Sequence, residues 1–569
     1  MRFNIPSSEA SKLFDTSEES KKFEKILEDV DGEKLSIFKD LEKLEDVFIS
    51  LNIGKIKKKE FRESLLKYAF GNNKFKKYCS MINEIINNND TEINKKKFIK
   101  KISNFQWGDN IQTRAFVESF ELDESLILKK QIIYENIELI QKPDSIYYPM
   151  FFYQSEVHHK AKKILEHPSG RIIIQLPTGA GKTKVAMEII CDFLNKHQKS
   201  TVVWLAESAE LLEQAIDEFK KNWKHRGKSE ISINRAWDKY EIIENETNPK
   251  FIVGGLGKMI SFFKKGGKLK ADFIIFDEAH HASAEKYSEV LLNLVDSGRT
   301  RVLGLTATPG RINPKETEEL AKLFNDNIPI SIETHNEYES PIKFLQNQGV
   351  LSILKTGGDK IIKIPKLDLI FTEKELQKLA KTSEYNDKEF LKKIGQSHLR
   401  NVIIFRKLLR LMEEGKQIIY FGASLEQTKL MYVLLNTFNQ KVGFIDGSTD
   451  TGYRKELIKK FQNKEINCLL NFAVLIAGFD APAIDTVFIA RPTKSATTLF
   501  QMIGRGMRGP NVQGGTKNCE VYHVQDKFLE RFQNFEKLYE TYESYYQSEE
   551  LQYIHESEEK EPEISKSER

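Results

Sequence analysis

Apolar residues fall in three regimes along the chain. Up to about residue 145 they recur at helical spacing among Lys, Glu, Asn and Ile. Phe23, Ile26, Leu27 and Val30 fit one helix face, and Phe61, Leu65, Leu66, Tyr68 and Ala69 fit another. Gly and Pro are almost absent there, so the pattern predicts a helical accessory domain over 1–145. Lys142-Pro143-Asp144 marks its end, because the residue before a proline resists helix. From 146 to 527 short aliphatic runs alternate with longer amphipathic segments: RIIIQL from 171, TVVWLA from 201, FIVGG from 251, DFIIFD from 272 and RVLGLTAT from 301. Continuous apolar runs predict strands buried on both faces of a parallel sheet, and the alternation predicts βαβ units. A second series starts near QIIYFGAS at 417 and continues through VGFIDG, NCLLNFAV, TVFIARP and NCEVYHV. The expected fold class is α/β, with two parallel-sheet lobes over 146–335 and 336–527. From 528 to 569 the reading is a charged, aromatic helix (FLERFQNFEKLYETYESYY) and an acidic, Ser-rich disordered tail.

Composition narrows the class only slightly. At 569 residues the chain has room for three or four domains. No apolar run approaches the roughly 20 residues of a membrane helix, and the N-terminus lacks a secretory apolar region. The expectation is a cytoplasmic protein with no membrane partner. Cys79, Cys191, Cys468 and Cys519 are far apart, which argues against a zinc site or a disulfide framework. Net charge is +4, with Lys+Arg 87 nearly balanced by Asp+Glu 83, so charge alone does not indicate nucleic-acid binding.

Motifs carry more. LPTGAGKT follows RIIIQL and precedes the helically periodic KVAMEIICDFL. In a strand–loop–helix setting, glycines let backbone N–H groups turn inward onto phosphate oxygens, and the helix dipole favours the charge. Thr178, Gly179, Ala180 and Gly181 would form the cradle. Lys182 would reach the β- and γ-phosphates, and Thr183 would hold Mg²⁺. Leu176 stands where the strict phosphate-loop pattern has its first glycine; a turn that happens to carry Gly and Lys is the bland alternative.

DFIIFDEAHH puts Asp277 and Glu278 at a strand end, facing the phosphate loop from a neighbouring strand. Asp277 would hold Mg²⁺, partly through water, and Glu278 would activate the attacking water. His280 is a candidate relay, His281 has no assigned role, and an acidic strand-end cap is the plain alternative. Thr306 and Thr308 close the next strand. In FQMIGRGMRG, Arg505 and Arg508 are expected at a helix start, with a spacing of three placing both on one face. They would stabilise charge on a γ-phosphate or, equally, touch nucleic-acid phosphates. Gly478 and Asp480 end another strand, where Asp480 would accept bonds from a moving segment or cap a turn.

This ordered set resembles the superfamily 2 helicases, in the DEAH-box and type III restriction-and-repair-like branch. FFYQSEVHHKA resembles the adenine-reading segment, LPTGAGKT motif I, WLAESAELLEQA motif Ia, DEAH motif II, TATPGR motif III, IIYFGAS motif IV, NFAVLIAGFDAP motif V and QMIGRGMR motif VI. The resemblance implies two RecA-like lobes with ATP between them and nucleic acid across both. It implies that Gln154 reads adenine, that Gln501 lines the cleft, and that Arg505 and Arg508 act as arginine fingers. Glu207 departs from the usual motif Ia, and GGLGKM from 254 matches motif Ib only loosely.

The function expected is an ATP-dependent nucleic-acid helicase or translocase, DNA favoured, in a repair or defence assembly. The alternative is an ATP-switched nucleic-acid-binding or assembly subunit that recruits a protein partner through residues 1–145. KIKKKE from 55 and NKKKFIKK from 94 could contact phosphates, although such charge runs are more often solvated helix faces.

Overall fold

Strands whose residues are apolar on both faces need cover on both sides, and helices supply it in each lobe. The computed structural model describes residues 56–84, 92–122, 126–127, 137–139, 149–242, 250–278, 284–296, 298–307, 322–325, 327–333, 340–365, 369, 371–381, 387–438, 441–475 and 484–529. The helix expected over Phe23 to Val30, and the C-terminal segment from 530 on, lie outside these residues.

The N-terminal unit holds α1 (Lys59–Tyr68), α2 (Asn73–Met81), α3 (Glu92–Ile102) and α4 (Ile111–Ser119). Phe61, Leu65, Leu66 and Ala69 are buried, as their spacing predicts, against Phe75, Tyr78, Phe116 and Phe120. Asn72 and Asn110 start α2 and α4 by accepting from the Phe75 and Thr113 amides at 2.8 and 2.9 Å. Arg62 is buried and knots the unit together. Its guanidinium donates to the carbonyls of Ile56, Lys57, Ser103 and Phe105 and lies 4.4 Å from the Phe105 ring centroid.

The first lobe runs β1 (Ile137–Leu139), α5 (Phe152–Leu165), β2 (Arg171–Gln175), α6 (Lys182–Lys196), β3 (Thr201–Ala206), α7 (Ala209–Arg226), β4 (Ser232–Ala236), β5 (Lys250–Gly255), α8 (Leu256–Lys264), β6 (Phe273–Phe276), α9 (Ala284–Leu294) and β7 (Arg301–Thr306). Strand order is β1-β4-β5-β3-β6-β7-β2, all parallel except β1, which is antiparallel to β4. Thus three residues on the N-terminal side of the expected 145/146 boundary belong to this sheet. Ile137-Glu138-Leu139 alternates apolar and polar, which suits a half-covered edge. The other edge strand, β2, is covered: the Ile330 amide donates to the Ile173 carbonyl and the Gln175 amide to the Ile330 carbonyl, both at 2.8 Å.

The second lobe runs α10 (Pro341–Asn347), β8 (Ile353–Lys355), β9 (Ile361–Ile364), α11 (Glu373–Lys381), α12 (Lys388–Gly395), α13 (His398–Glu413), β10 (Ile418–Phe421), α14 (Leu425–Thr437), β11 (Val442–Ile445), α15 (Thr451–Gln462), β12 (Cys468–Asn471), β13 (Thr486–Ile489), α16 (Ala496–Ile503) and β14 (Asn518–Asp526). Its sheet is parallel throughout, in the order β11-β12-β10-β13-β14, and β8 and β9 pair in succession with β14. All five expected runs became strands. The N-terminal unit docks on this second lobe: Lys57 Nζ lies 3.0 Å from Asp450, and Tyr453 of α15 packs against the N-terminal core. Among the described residues no helix is long and apolar enough to cross a membrane.

One buried ion pair ties α13 to β14. Arg400 Nε donates to Asp526 at 2.8 Å and its Nη2 to the Ala490 carbonyl at 2.6 Å, with both side chains essentially solvent-free. Asp526→Ala strands a guanidinium in the core. We expect a loss of about 3–5 kcal/mol, read from the denaturant midpoint, and a much smaller loss for the apolar double replacement Arg400→Met/Asp526→Leu. Equal losses would contradict this account.

Candidate nucleotide site between the lobes

The phosphate loop leaves β2 and enters α6. Gly179 and Gly181 have φ of +88° and +79°, the left-handed region that favours glycine. Gly181 is the N-cap of α6, so the first amides of the helix face the loop. From below, the Ala180 carbonyl accepts two side-chain donors, Tyr153 Oη at 2.8 Å and Gln154 Nε2 at 3.0 Å. Gln154 Oε1 in turn accepts from the Phe151 amide at 2.9 Å, starting α5. Gln154 is therefore a brace under the loop, with both ends of its amide engaged by protein. A Cβ on Gly181 would lie 2.4 Å from Gln154 Nε2. Lys182 is buried, and its Nζ donates to the Leu176 carbonyl at 3.3 Å.

Asp277 and Glu278 follow β6. This strand is not adjacent to β2, contrary to expectation; β7 lies between them. Asp277 still lies close enough to the loop for the Lys182 charge to act on it. The Asp277 amide donates to the Leu205 carbonyl at 2.9 Å, and Asp277 Oδ1 accepts from the Glu278 amide at 3.1 Å. Burial, and then the Glu278 charge, push the Asp277 carboxyl up to about 7, while Lys182 opposes them. Glu278 has φ of +50°, a conformation that costs energy for a side chain of its kind. Thr306 ends β7 fully buried, and its carbonyl accepts from the Leu176 amide at 3.1 Å.

The second lobe reaches the loop through the end of α16. A Cβ on Gly504 would lie 2.2 Å from Thr178 Cγ2, and one on Gly179 would lie 3.0 Å from Leu351 Cδ2. The sequence placed Arg505 and Arg508 at a helix start. Instead α16 ends at Ile503, and both arginines lie past its C-terminus in a run of turns. The shared-face argument therefore fails. Gly506 packs where a Cβ would meet Cys519 Sγ at 2.4 Å, which holds the segment against β14. Gln501 is buried on α16. Sequence reading missed what fixes the arginine loop. The single hydroxyl proton of buried Ser352 is shared between the carbonyls of Arg508 and Thr516, 2.6 and 2.7 Å from its Oγ, and the Gly509 amide donates to the Val350 carbonyl at 2.9 Å. It also missed Tyr153, whose only signal was its place beside Gln154. His280, His281, Thr308, Gly478 and Asp480 lie outside the described residues.

A second cavity, of about 810 Å³, opens at the opposite ends of the strands, beside Phe193, Phe273, His197 and Arg301. Its strongest cations are engaged by protein. Arg301 donates to the Leu165 carbonyl at 2.6 Å, and Arg226 pairs with Glu188 and Asp192.

Two outcomes follow from the geometry. Gly181→Ala adds strain in the left-handed region and displaces Gln154, so nucleotide affinity should fall about tenfold or more in a direct binding titration. Asp277 sets a pH dependence. Between the ordinary carboxylate range and about 7, the folded site keeps a proton that the unfolded chain has released. Stability is therefore lost as pH rises through that window and is level above it. The thermal-midpoint advantage of Asp277→Asn over wild type should widen as pH goes from about 5 to about 7, then stay constant. A gap that does not change with pH would refute the burial argument.

Comparison with known proteins agrees with this layout. The model of the type III restriction enzyme res subunit matches residues 147–311, and that of the helicase conserved C-terminal domain matches 401–509. The chain is similar to a putative ATP-dependent helicase IRC3 of Saccharomyces cerevisiae, at 24% identity over 366 residues, covering 63% of this chain and 49% of that protein. It is similar to putative helicase 22 of a Sulfolobus islandicus filamentous virus, at 26% over 388 residues, 64% of this chain and 62% of that one. It is also similar to the DNA 3'-5' translocase XPB2 of Sulfurisphaera tokodaii, at 25% over 452 residues, 71% of this chain and 89% of that one. The chain spans about half the length of the yeast relative and under two thirds of the viral one. The chain thus carries a segment matching the type III restriction res subunit followed by one matching the helicase C-terminal domain, one on each parallel-sheet lobe, and in this it is similar to superfamily 2 helicases of the type III restriction-like branch.

Proposed function

We propose that the chain hydrolyses ATP between its lobes and uses the cycle to move along or separate nucleic acid, DNA in preference to RNA. The observation that carries this is the convergence of the phosphate loop, the buried Asp277 and the Gly504–Met507 turn of the other lobe on one point. The preference for DNA rests on the relative named as a DNA translocase.

In this reading Lys182 binds the β- and γ-phosphates, and the amides of 178–183 cradle them. Among the described residues no group of three or more His, Cys, Asp or Glu side chains could hold a metal. One buried carboxylate and one hydroxyl, Asp277 and Thr183, fit Mg²⁺, which keeps several waters and relies on phosphate oxygens. Bound there, Mg²⁺ supplies positive charge to the phosphates. Glu278 orients the attacking water. Arg505 and Arg508 stabilise charge on the γ-phosphate when the lobes close. Gln154 reads adenine by exchanging its present partners, Gln501 lines the cleft, and Gly478 and Asp480 couple it to the second lobe.

We also propose the division 1–145, 146–335, 336–527 and 528–569, with β1 joined to the first lobe. The four cysteines, all free and buried, support a reducing compartment such as the cytoplasm. The N-terminal unit remains a candidate surface for a protein partner.

Steady-state ATPase with single-stranded DNA, duplex DNA and RNA tests the proposal. We expect strong stimulation, greatest with DNA, and turnover at background in Lys182→Ala. Unstimulated turnover with tight binding of a protein partner would favour an ATP-switched assembly subunit. Wild-type rates in Lys182→Ala would end both readings.

A further inference from the structure

Charge is unevenly distributed along the chain. Residues 56–122 carry fourteen lysines and arginines against eight acidic residues, an excess of six, whereas the whole chain carries only +4. Some of these cations have protein partners: Lys57 with Asp450, Lys67 with Glu63, Lys77 with Glu118, Lys101 with Glu84 and Arg114 with Asp109. Arg62 is buried on carbonyls. A stripe on α3 stands apart. Ile99 and Ile102 bury one face of the helix, and Ile93, Lys96, Lys97 and Lys100 form the opposite one at i, i+3, i+4, i+7. The three lysines are exposed, and Ile93 is 67% exposed at the end of the row.

The unit that bears the stripe is held on the second lobe. Asp450, which receives Lys57, caps α15 just after β11, on the carboxyl edge of the second sheet. Tyr453, in the first turn of α15, packs against the N-terminal core. The stripe is therefore carried on a unit that docks on the second lobe.

We propose that Lys96, Lys97 and Lys100 of α3 form an accessory grip for the sugar-phosphate backbone of nucleic acid, carried by the second lobe and separate from the nucleotide cleft. This rests on the nucleic-acid reading above. Exposed lysines at helical spacing present point charges to phosphates without reading bases, so the grip adds affinity and salt dependence but no sequence preference. A polyanion is favoured over a protein partner because the row is cationic with a single apolar residue at its end, where a protein docking face would show a buried-type apolar centre.

The test uses the full chain with Lys96→Glu/Lys97→Glu/Lys100→Glu, and a milder Lys→Gln triple should the reversal fold poorly. Anisotropy titrations use labelled single-stranded and duplex DNA at several salt concentrations. We expect affinity about tenfold weaker and the slope of log affinity against log salt reduced by about two to three. ATPase without nucleic acid should be unchanged. Unaltered affinity and slope, with DNA still stimulating ATPase, would overturn the grip and leave the motor reading intact. A wild-type protein that neither binds nucleic acid nor responds to it would overturn both.

Discussion

One carbonyl oxygen, that of Ala180, fastens the loop of the candidate nucleotide site. A loop with two left-handed residues has no regular ladder to fix it, so its backbone must be fastened by side chains. Tyr153 and Gln154 do this together, each donating to Ala180. Because Gln154 also starts α5 through the Phe151 amide, the loop is fastened to a helix and not merely to a neighbouring turn. The fit leaves no room at Gly181 below or at Gly504 above. Lys182 opens α6 directly after this braced loop, with its Nζ on the Leu176 carbonyl.

A second constraint comes from the sheets. Parallel strands put all their carboxyl ends on one edge, and polar side chains that cannot enter the apolar layers collect there. In the first lobe that edge holds Lys182, Asp277 and Thr306. The opposite edge receives the C-terminal ends of α5, α6 and α7, whose carbonyls attract cations. Arg301 on the Leu165 carbonyl is the clearest case. The cations around the second cavity are thus largely structural, although a pocket rich in Lys, Arg and His resembles a binding site when seen as a list.

Much of this was legible before any coordinates. Strands buried on both faces announce themselves as uninterrupted aliphatic runs, so β2, β3, β5, β6, β7 and all of β10 to β14 were readable. The phosphate loop was readable because its glycines, Lys182 and the flanking elements are contiguous. Spatial order was not. Sequence carries no record that β7 separates β6 from β2, since the topology is settled by non-local packing. Short edge strands were also hidden: β1, β8 and β9 have three or four residues each, too few to set a period. The arginine loop misled for a different reason. Arg505 and Arg508 have helical spacing, but Gly504 and Gly506 on either side of Arg505 make close contact with Thr178 and Cys519, and the helix has already ended at Ile503. Ser352, which fixes the loop, is a lone serine with no pattern around it.

The docking of the N-terminal unit on α15 has a consequence for biosynthesis. Lys57 and Asp450 are 393 residues apart in sequence, and the whole first lobe is made between them. At ribosomal speeds of about 5 to 20 residues per second, the N-terminal helices emerge about 20 to 80 seconds before the surface that receives them. Through that interval their core lacks its contact with Tyr453. The buried Arg62 and its four carbonyl partners all come from within residues 56–105, so this small bundle carries its own fastening during the wait.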